Sequence, residues 1–147
     1  MVRADTPWRI WAIDPGAVYT GVAWLGENHT WSAEQYDNPV EAYAYVVAQV
    51  MRYDYFLIED FSHGGAFTKE AKDTIEVVGL FKYASIYLGL DPIIRHKDKR
   101  LSGQREAAKL MGSTVAELKV DEDRKDAFSA LSHCITWRRE HVAGIQK

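Results

Sequence analysis

The chain has little of the chemistry that marks several large classes of protein. Its 147 residues include a single cysteine, Cys134, so an internal disulfide is excluded and a reducing compartment is favoured. No apolar run approaches the roughly 20 residues needed to cross a bilayer. Residues 1–8 lack the apolar core of a signal peptide. We therefore expect a cytoplasmic protein with no membrane partner.

An excess of basic residues is also missing. The formal net charge is -3, so composition alone does not indicate a nucleic-acid-binding protein. Net charge is a weak guide, however, because clustered acids that bind metal ions can mask a local basic surface. The length and the 47% hydrophobic content fit one domain over 1–147, with no linker or internal repeat.

Two apolar runs that end on a carboxylate are the most informative feature present. Residues 10–13 are apolar on both faces, which indicates a central strand buried above and below, and Asp14 closes this run before a Pro-Gly pair. Residues 55–58 form a second such run, which ends on Glu59. An acid at a strand end can hold a metal ion, although Asp-Pro-Gly is also ordinary turn chemistry.

The remaining pattern predicts a mixed α/β chain. Strands are expected at 10–14, 18–25, 29–35, 55–59 and 93–94. Helices are expected at 39–52, 68–88, 103–111 with Ser102 as cap, 114–117, and 121–140 with Asp121 as cap. The 68–88 helix carries apolar residues round much of its circumference. One sheet face cannot cover all of them, so we expect part of this helix to pack on a partner subunit.

Two further acids extend the buried face of the last predicted helix. Its apolar stripe, continued backwards at spacings of three and four, reaches Asp126 and Asp123. The alternative is that both acids cap the helix and pair with Arg124 or Lys125. Adjacent residues of a helix point in different directions, however, so this pairing would be poor. Four acids in one cleft would repel each other unless divalent cations neutralised them. Oxygen ligands without a His or Cys cluster favour Mg²⁺ or Mn²⁺ over zinc.

The motifs together resemble a known family. The sequence IDPG at 13–16 with TG at 20–21, IE at 58–59, and DRKDA at 123–127 resembles the RuvC family of Holliday-junction resolvases, within the RNase H-like superfamily. The resemblance covers nearly the whole chain. It implies an RNase H-like α/β fold, with a five-stranded mixed β-sheet flanked by α-helices on both faces. It also implies a homodimer, here through the 68–88 helix, that cuts two strands of branched DNA.

The resemblance also assigns the metal ligands. By position, the acidic tetrad would be Asp14, Glu59, Asp123 and Asp126. As a hypothesis, each active site would hold two Mg²⁺ (or Mn²⁺) ions roughly 4 Å apart, bridged by Asp14. One side of the scissile phosphate would then face an activated water, and the other the leaving oxygen.

A basic tract and two aromatic residues are candidates for contact with DNA. Residues 95–109 hold six Lys or Arg against two acids, which on most proteins is a solvated helix face. The resemblance instead implies phosphate contacts there, and the candidates are Lys97, Lys99, Arg100 and Arg105. Phe61 could stack on unpaired bases or could simply end the core of its strand, and Phe67 is a second candidate.

Three functions stay open at this point. The first is a metal-dependent endonuclease that resolves four-way junctions in a bacterial or phage-infected cell. The second is an RNase H-like nuclease that cuts flaps, forks or RNA, which includes a related branch that processes ribosomal RNA. The third is a catalytically silent module that binds nucleic acid or a partner protein. His133 is expected to be a packed core residue rather than a ligand.

Overall fold

A five-stranded mixed sheet organises the computed structural model, which describes residues 8–16, 18–28, 30–60 and 68–141. The spatial order of the strands is β3-β2-β1-β4-β5. The first three strands pair antiparallel, whereas β4 pairs parallel with β1 and β5 parallel with β4. The strands are β1 (Arg9–Asp14), β2 (Thr20–Gly26), β3 (Trp31–Tyr36), β4 (Tyr55–Glu59) and β5 (Ile93–Arg95).

Helices cover both faces of this sheet. They are α1 (Pro39–Gln49), α2 (Lys69–Tyr87), α3 (Gln104–Leu110), α4 (Val115–Lys119) and α5 (Lys125–His141), with a 3-10 helix (Lys97–Gly103) before α3. The predicted five-stranded sheet with helices on both faces is thereby confirmed. In these described ranges, none of the helices is long and apolar enough to cross a membrane.

The central strand β1 is buried on both sides, as its apolar run predicts. Ile10 and Ala12 pack into a cluster with α3, α4 and α5 on one face. Trp11 and Ile13 pack into a second cluster with α1 and α2 on the other. Alternate side chains of β1 therefore pack into the hydrophobic clusters on opposite faces of the sheet. This packing fixes the position of the strand, and with it the position of Asp14 at its end.

The first helix ends earlier than predicted. The side chain of Asn38 accepts a hydrogen bond from the Val40 amide at 2.8 Å and caps α1 as expected. The helix stops at Gln49 rather than near residue 52. The reason is the buried carboxylate of Asp54, which accepts the Met51 amide at 3.0 Å and the Trp11 indole N–H at 3.0 Å. This carboxylate ties the end of the helix to β1.

The segment before α3 also differs from the prediction. Ser102 does not cap a helix, because the chain is already in the 3-10 helix that His96 begins by accepting the Asp98 amide at 3.2 Å. The Ser102 hydroxyl instead donates to Thr136 Oγ1 at 3.3 Å. A Cβ on Gly103 would lie 2.6 Å from the Ser132 carbonyl oxygen. The 3-10 helix therefore packs directly on the backbone of α5.

Candidate active site

Two of the predicted acids end neighbouring strands. Ile13 of β1 is in register with Ile58 of β4, so Asp14 and Glu59 follow side by side where these two parallel strands end. Asp14 is half-buried, and the Glu59 side chain is 12% exposed. The parallel pairing of two runs that each end on an acid is what brings the two carboxyl groups together.

A third acid arrives from α5 through a close backbone approach. Gly21 of β2 lies opposite Asp14 in the sheet register. A Cβ on Gly21 would lie 2.0 Å from the backbone oxygen of Asp126. Since only a residue without a Cβ fits this gap, Gly21 allows the first turn of α5 to rest on the strand beside Asp14.

Gln35 of β3 caps this end of α5 from across the sheet. Its Oε1 accepts hydrogen bonds from the amides of Asp126 at 2.8 Å and Ala127 at 3.4 Å, and its Nε2 donates to the Glu122 carbonyl. Asp121, the predicted cap, accepts the Asp123 amide at 2.9 Å and so stabilises the turn before the helix. The helix itself begins only at Lys125.

The surroundings of the Asp14 carboxyl favour its protonated form. Burial raises its pKa well above the ordinary value, and the nearby charges of Glu59 and Asp126 raise it further. A hydrogen bond from the protonated group to Glu59 also acts to raise this pKa, whereas Ser129 acts to lower it. In the absence of a cation, a proton on Asp14 would offset the repulsion between these acids.

Glu59 is the best-compensated acid of the group. Its Oε1 accepts a hydrogen bond from Arg100 at 2.9 Å and one from His133 Nε2 at 3.0 Å. Burial acts to raise the pKa of Glu59, but the hydrogen bonds from His133 and Asp14 and the charge of Arg100 outweigh it and lower that pKa to about 2. Glu59 therefore stays ionised in this geometry.

His133 is 1% exposed, as expected of a core residue, yet it contacts the acid group. Its Nδ1 atom is buried without a hydrogen-bond partner in the described part of the chain. Because Glu59 is an acceptor, Nε2 is the nitrogen that donates in this contact, and in the neutral ring with its proton on Nε2 the Nδ1 atom would keep a lone pair that needs no acceptor. This tautomer fits the site without a second polar partner.

Asp126 lies in a different electrostatic environment. Burial raises the pKa of its carboxyl to about 6, with contributions from the charges of Glu59 and Glu122, while Lys125 acts in the opposite direction. Asp126 is therefore partly protonated in mildly acidic solution and ionised near neutral pH.

Two cavities meet at the acids. The larger, which we call the acidic cleft, has a volume of about 470 Å³, and its lining includes Asp14, Glu59, Glu70, Thr74, Glu122, Lys125 and Asp126. The smaller, which we call the basic pocket, has a volume of about 150 Å³ and is lined by Asp14, Arg100, Gln104, Lys119, Lys125, Asp126, Phe128 and Ser129. Asp14, Lys125 and Asp126 line both cavities.

The other predicted site residues are less central. Asp123 is exposed and lines neither cavity, whereas its neighbour Glu122 lines the acidic cleft. Residues 122–124 form a turn, so the helical spacing that leads back to Asp126 does not extend to Asp123. In the basic tract, Arg100 reaches the acids, while the exposed Lys97, Lys99 and Arg105 line neither cavity. Phe61 and Phe67 fall outside the described residues.

The donor set fits a hard divalent cation in type. Asp14, Glu59 and Asp126 offer oxygen atoms, which Mg²⁺ and Mn²⁺ prefer. Within 8–16, 18–28, 30–60 and 68–141, however, no three His, Cys, Asp or Glu side chains are close enough together to hold an ion where they stand. Arg100 and His133 occupy Oε1 of Glu59, so a cation would reach Glu59 through its other oxygen or displace Arg100.

Several residues at this site escape prediction from the sequence. Gln35 and Gln104 are far from the acids in the chain and give no local signal. His133 gives one, because it lies seven residues, about two helical turns, after Asp126 and so shares its helix face. That spacing could have placed His133 beside the strand-end acids.

No family model matches the chain, and no curated protein matches its sequence. Solved structures of RuvC share its fold. RuvC of T. thermophilus in complex with a Holliday junction substrate has a TM-score of 0.65 at 14% sequence identity, over 92% of this chain and 96% of that one. A structure of RuvC from Thermus thermophilus has a TM-score of 0.56 at 13% identity, with the same shares covered. The predicted RuvC-like, RNase H-like fold is thereby confirmed.

Proposed function

We propose that this protein is a divalent-metal-dependent, structure-selective endonuclease that resolves four-way DNA junctions as a homodimer. One observation carries the proposal: Asp14, Glu59 and Asp126 meet from three separate elements in the fold of RuvC. One of the RuvC structures with this fold is a complex with a Holliday junction substrate. Acids that are buried close together without cationic partners lower stability, so stability alone would not favour three acids in one place.

Asp14, Glu59 and Asp126 would hold the cations, with Glu122 or the predicted Asp123 as a further acid. When bound, the ions would supply an activated water and offset charge on the leaving oxygen. Because its surroundings raise the pKa of Asp14, binding of a cation there would compete with a proton. Arg100 and His133 orient Glu59 by holding one of its oxygens, and this leaves the other oxygen available as a ligand.

The homodimer would form through α2. Its residues Ile75, Gly79, Tyr83 and Tyr87 repeat every four positions and so form one stripe, beside which Ile86 lies. Tyr83, Ile86 and Tyr87 are 60%, 68% and 67% exposed. A Cβ on Gly79 would meet no atom of the described residues within 4 Å, so their packing does not require glycine there. A glycine in an exposed apolar stripe suits the close approach of a second helix.

Cleavage of end-labelled DNA tests the proposal directly. Four-way junction, flap, fork, linear duplex and RNA–DNA hybrid substrates would be compared with Mg²⁺, with Mn²⁺ and with chelator. We expect paired, symmetric nicks in the junction that need the metal. Asp14→Asn is expected to abolish these nicks and to leave junction binding intact. Cleavage by Asp14→Asn at the wild-type rate would contradict the proposed site. If the wild type cuts mainly flaps or RNA, the active site stands but the proposed substrate is wrong.

A catalytically silent nucleic-acid-binding module is the second candidate. It is favoured by the 2.9 Å pair between Arg100 and Glu59, because an arginine can neutralise an acid that a nuclease would use for a metal. The two candidates differ in one measurable property. Binding of junction DNA without cutting under every metal condition would establish the silent module.

A further inference from the structure

Ser129 lies on α5, three residues after Asp126, and its hydroxyl is buried beside the acids. We infer that Ser129 is a positioning residue, which holds one oxygen of the Asp14 carboxylate and turns the other oxygen towards a divalent cation in the acidic cleft. The inference rests on the proposed function, because that function requires the cation. Ser129 lies outside the motifs that carry the resemblance to RuvC.

The Ser129 hydroxyl is buried without a hydrogen-bond partner in the described part of the chain, and the residue is 7% exposed. A helical serine can donate to the carbonyl oxygen four residues before it. Ser132 of the same helix does so, to Phe128 at 2.7 Å. Ser129 makes no such bond to Lys125, so its hydroxyl is available to a group outside the helix. Because most buried polar groups in proteins are paired, this hydroxyl indicates a partner that binding brings into place.

The Asp14 carboxyl is the acceptor that suits this hydroxyl. Ser129 and Asp14 both line the basic pocket, whereas only Asp14 of the two lines the acidic cleft. The hydroxyl therefore approaches Asp14 from the basic pocket. Ser129 also acts to lower the pKa of Asp14, as a donor near a carboxylate does. A hydrogen bond from a hydroxyl to an ionised carboxylate is stronger than one between neutral groups.

This direction of approach decides which side of Asp14 a cation uses. The oxygen that Ser129 holds stays on the side of the basic pocket, where three cationic side chains would repel a metal ion. The other oxygen faces the acidic cleft, which Glu59 also lines. Donors on Oε1 of Glu59 leave its second oxygen available in the same way. Two ions bridged by Asp14 would consequently share its second oxygen.

Melting of the DNA-free protein in increasing Mg²⁺ or Mn²⁺ tests this role without relying on activity. Ser129→Ala is expected to raise the metal concentration at the midpoint of stabilisation by about three- to tenfold, because one hydrogen bond to a ligand is lost. Its melting temperature in chelator should not fall, since the lost hydroxyl has no partner there. Ser129→Thr keeps a hydroxyl and should retain the wild-type midpoint.

Ser132→Ala is the matched control. It removes a buried hydroxyl from the same helix, one that donates to Phe128 and lines neither cavity. This variant should leave the metal midpoint unchanged. A wild-type midpoint for Ser129→Ala, or a loss that Ser129→Thr does not restore, would overturn the inference while metal-dependent cleavage stood.

A crystal structure of the wild type with Mn²⁺ locates the ion itself. We expect the ion in the acidic cleft, and the Ser129 hydroxyl within hydrogen-bond distance of the Asp14 oxygen on the other side. An ion in the basic pocket would overturn the inference. A wild-type protein that cuts no DNA with either metal would instead overturn the proposed function, whatever the melting curves show.

Discussion

His133 Nε2 lies 3.0 Å from Oε1 of Glu59, which links the buried middle of α5 to the acid at the end of β4. The same oxygen accepts Arg100 at 2.9 Å. Two donors from two different elements therefore fix the orientation of one carboxylate. Donors that hold a metal-binding acid in place affect metal affinity although they do not touch the ion.

His133→Ala is expected to lower metal affinity and cleavage by about 10- to 100-fold, because Glu59 loses one of the two donors that orient it. His133→Gln keeps an N–H donor and should recover part of the loss. The measurement is cleavage rate against Mg²⁺ concentration. A purely structural role would lower the melting temperature of both variants and leave the Mg²⁺ midpoint unchanged. His141→Ala, at an exposed position at the end of α5, serves as control.

Asp126→Asn should change how the stability of the metal-free protein depends on pH. The folded pKa of Asp126 is raised to about 6 from an ordinary value near 3.8. Its contribution to stability is therefore fully present below about pH 4 and is lost as the pH rises through about 6. We expect the variant and the wild type to melt alike near pH 4, and the variant to melt higher above pH 6. Melting curves in chelator at several pH values measure this difference.

The contribution of the Glu59 carboxylate to stability depends on pH with the opposite sign, so it can be distinguished from the contribution of Asp126. Its pKa is lowered to about 2, so its contribution is present above about pH 4.5 and is lost as the pH falls towards 2. A stability difference for Asp126→Asn that grew towards low pH would contradict the assignment.

Gly21→Ala is expected to lower the melting temperature and to abolish cleavage, because the new Cβ would meet the Asp126 backbone at 2.0 Å and force α5 away from Asp14. Gly26→Ala is the matched control at the other end of β2. Its Cβ would meet the Thr30 side-chain oxygen at 2.5 Å, and that side chain can move. Cleavage and melting of the two variants are compared. Full cleavage by Gly21→Ala would show that α5 does not position Asp126 as described.

Ile86→Glu is expected to convert the proposed dimer to a monomer, since it would bury a charge beside the α2 stripe in the proposed interface. Val40→Glu makes the same kind of change at another exposed position, 65% exposed on α1, and should leave the dimer intact. Sedimentation velocity measures both. If the wild type itself is monomeric at micromolar concentration, or if both variants stay dimeric, the α2 interface is wrong.

The parts that the sequence predicts are those with a local signal. Runs that are apolar on both faces identify β1 and β4, and the acid that ends each run follows directly. Asp126 follows from helical spacing, because α5 continues its apolar stripe. The same spacing fails for Asp123, since the chain there is a turn. The cap that Gln35 places on Asp126 joins residues 91 positions apart, and no local pattern carries information over that distance.

Because Gln35 caps α5, the acid site also depends on β3, which is an edge strand of the sheet. Among the described strands β3 pairs only with β2, and each of its residues is at least partly accessible. The free energy of opening an edge strand is lower than the free energy of unfolding the whole domain. Each such opening would release the Asp126 and Ala127 amides from Gln35 while the core around β1 stays closed. Heating should therefore extinguish cleavage before the main thermal transition, with hydrogen exchange at β3 amides rising over the same interval.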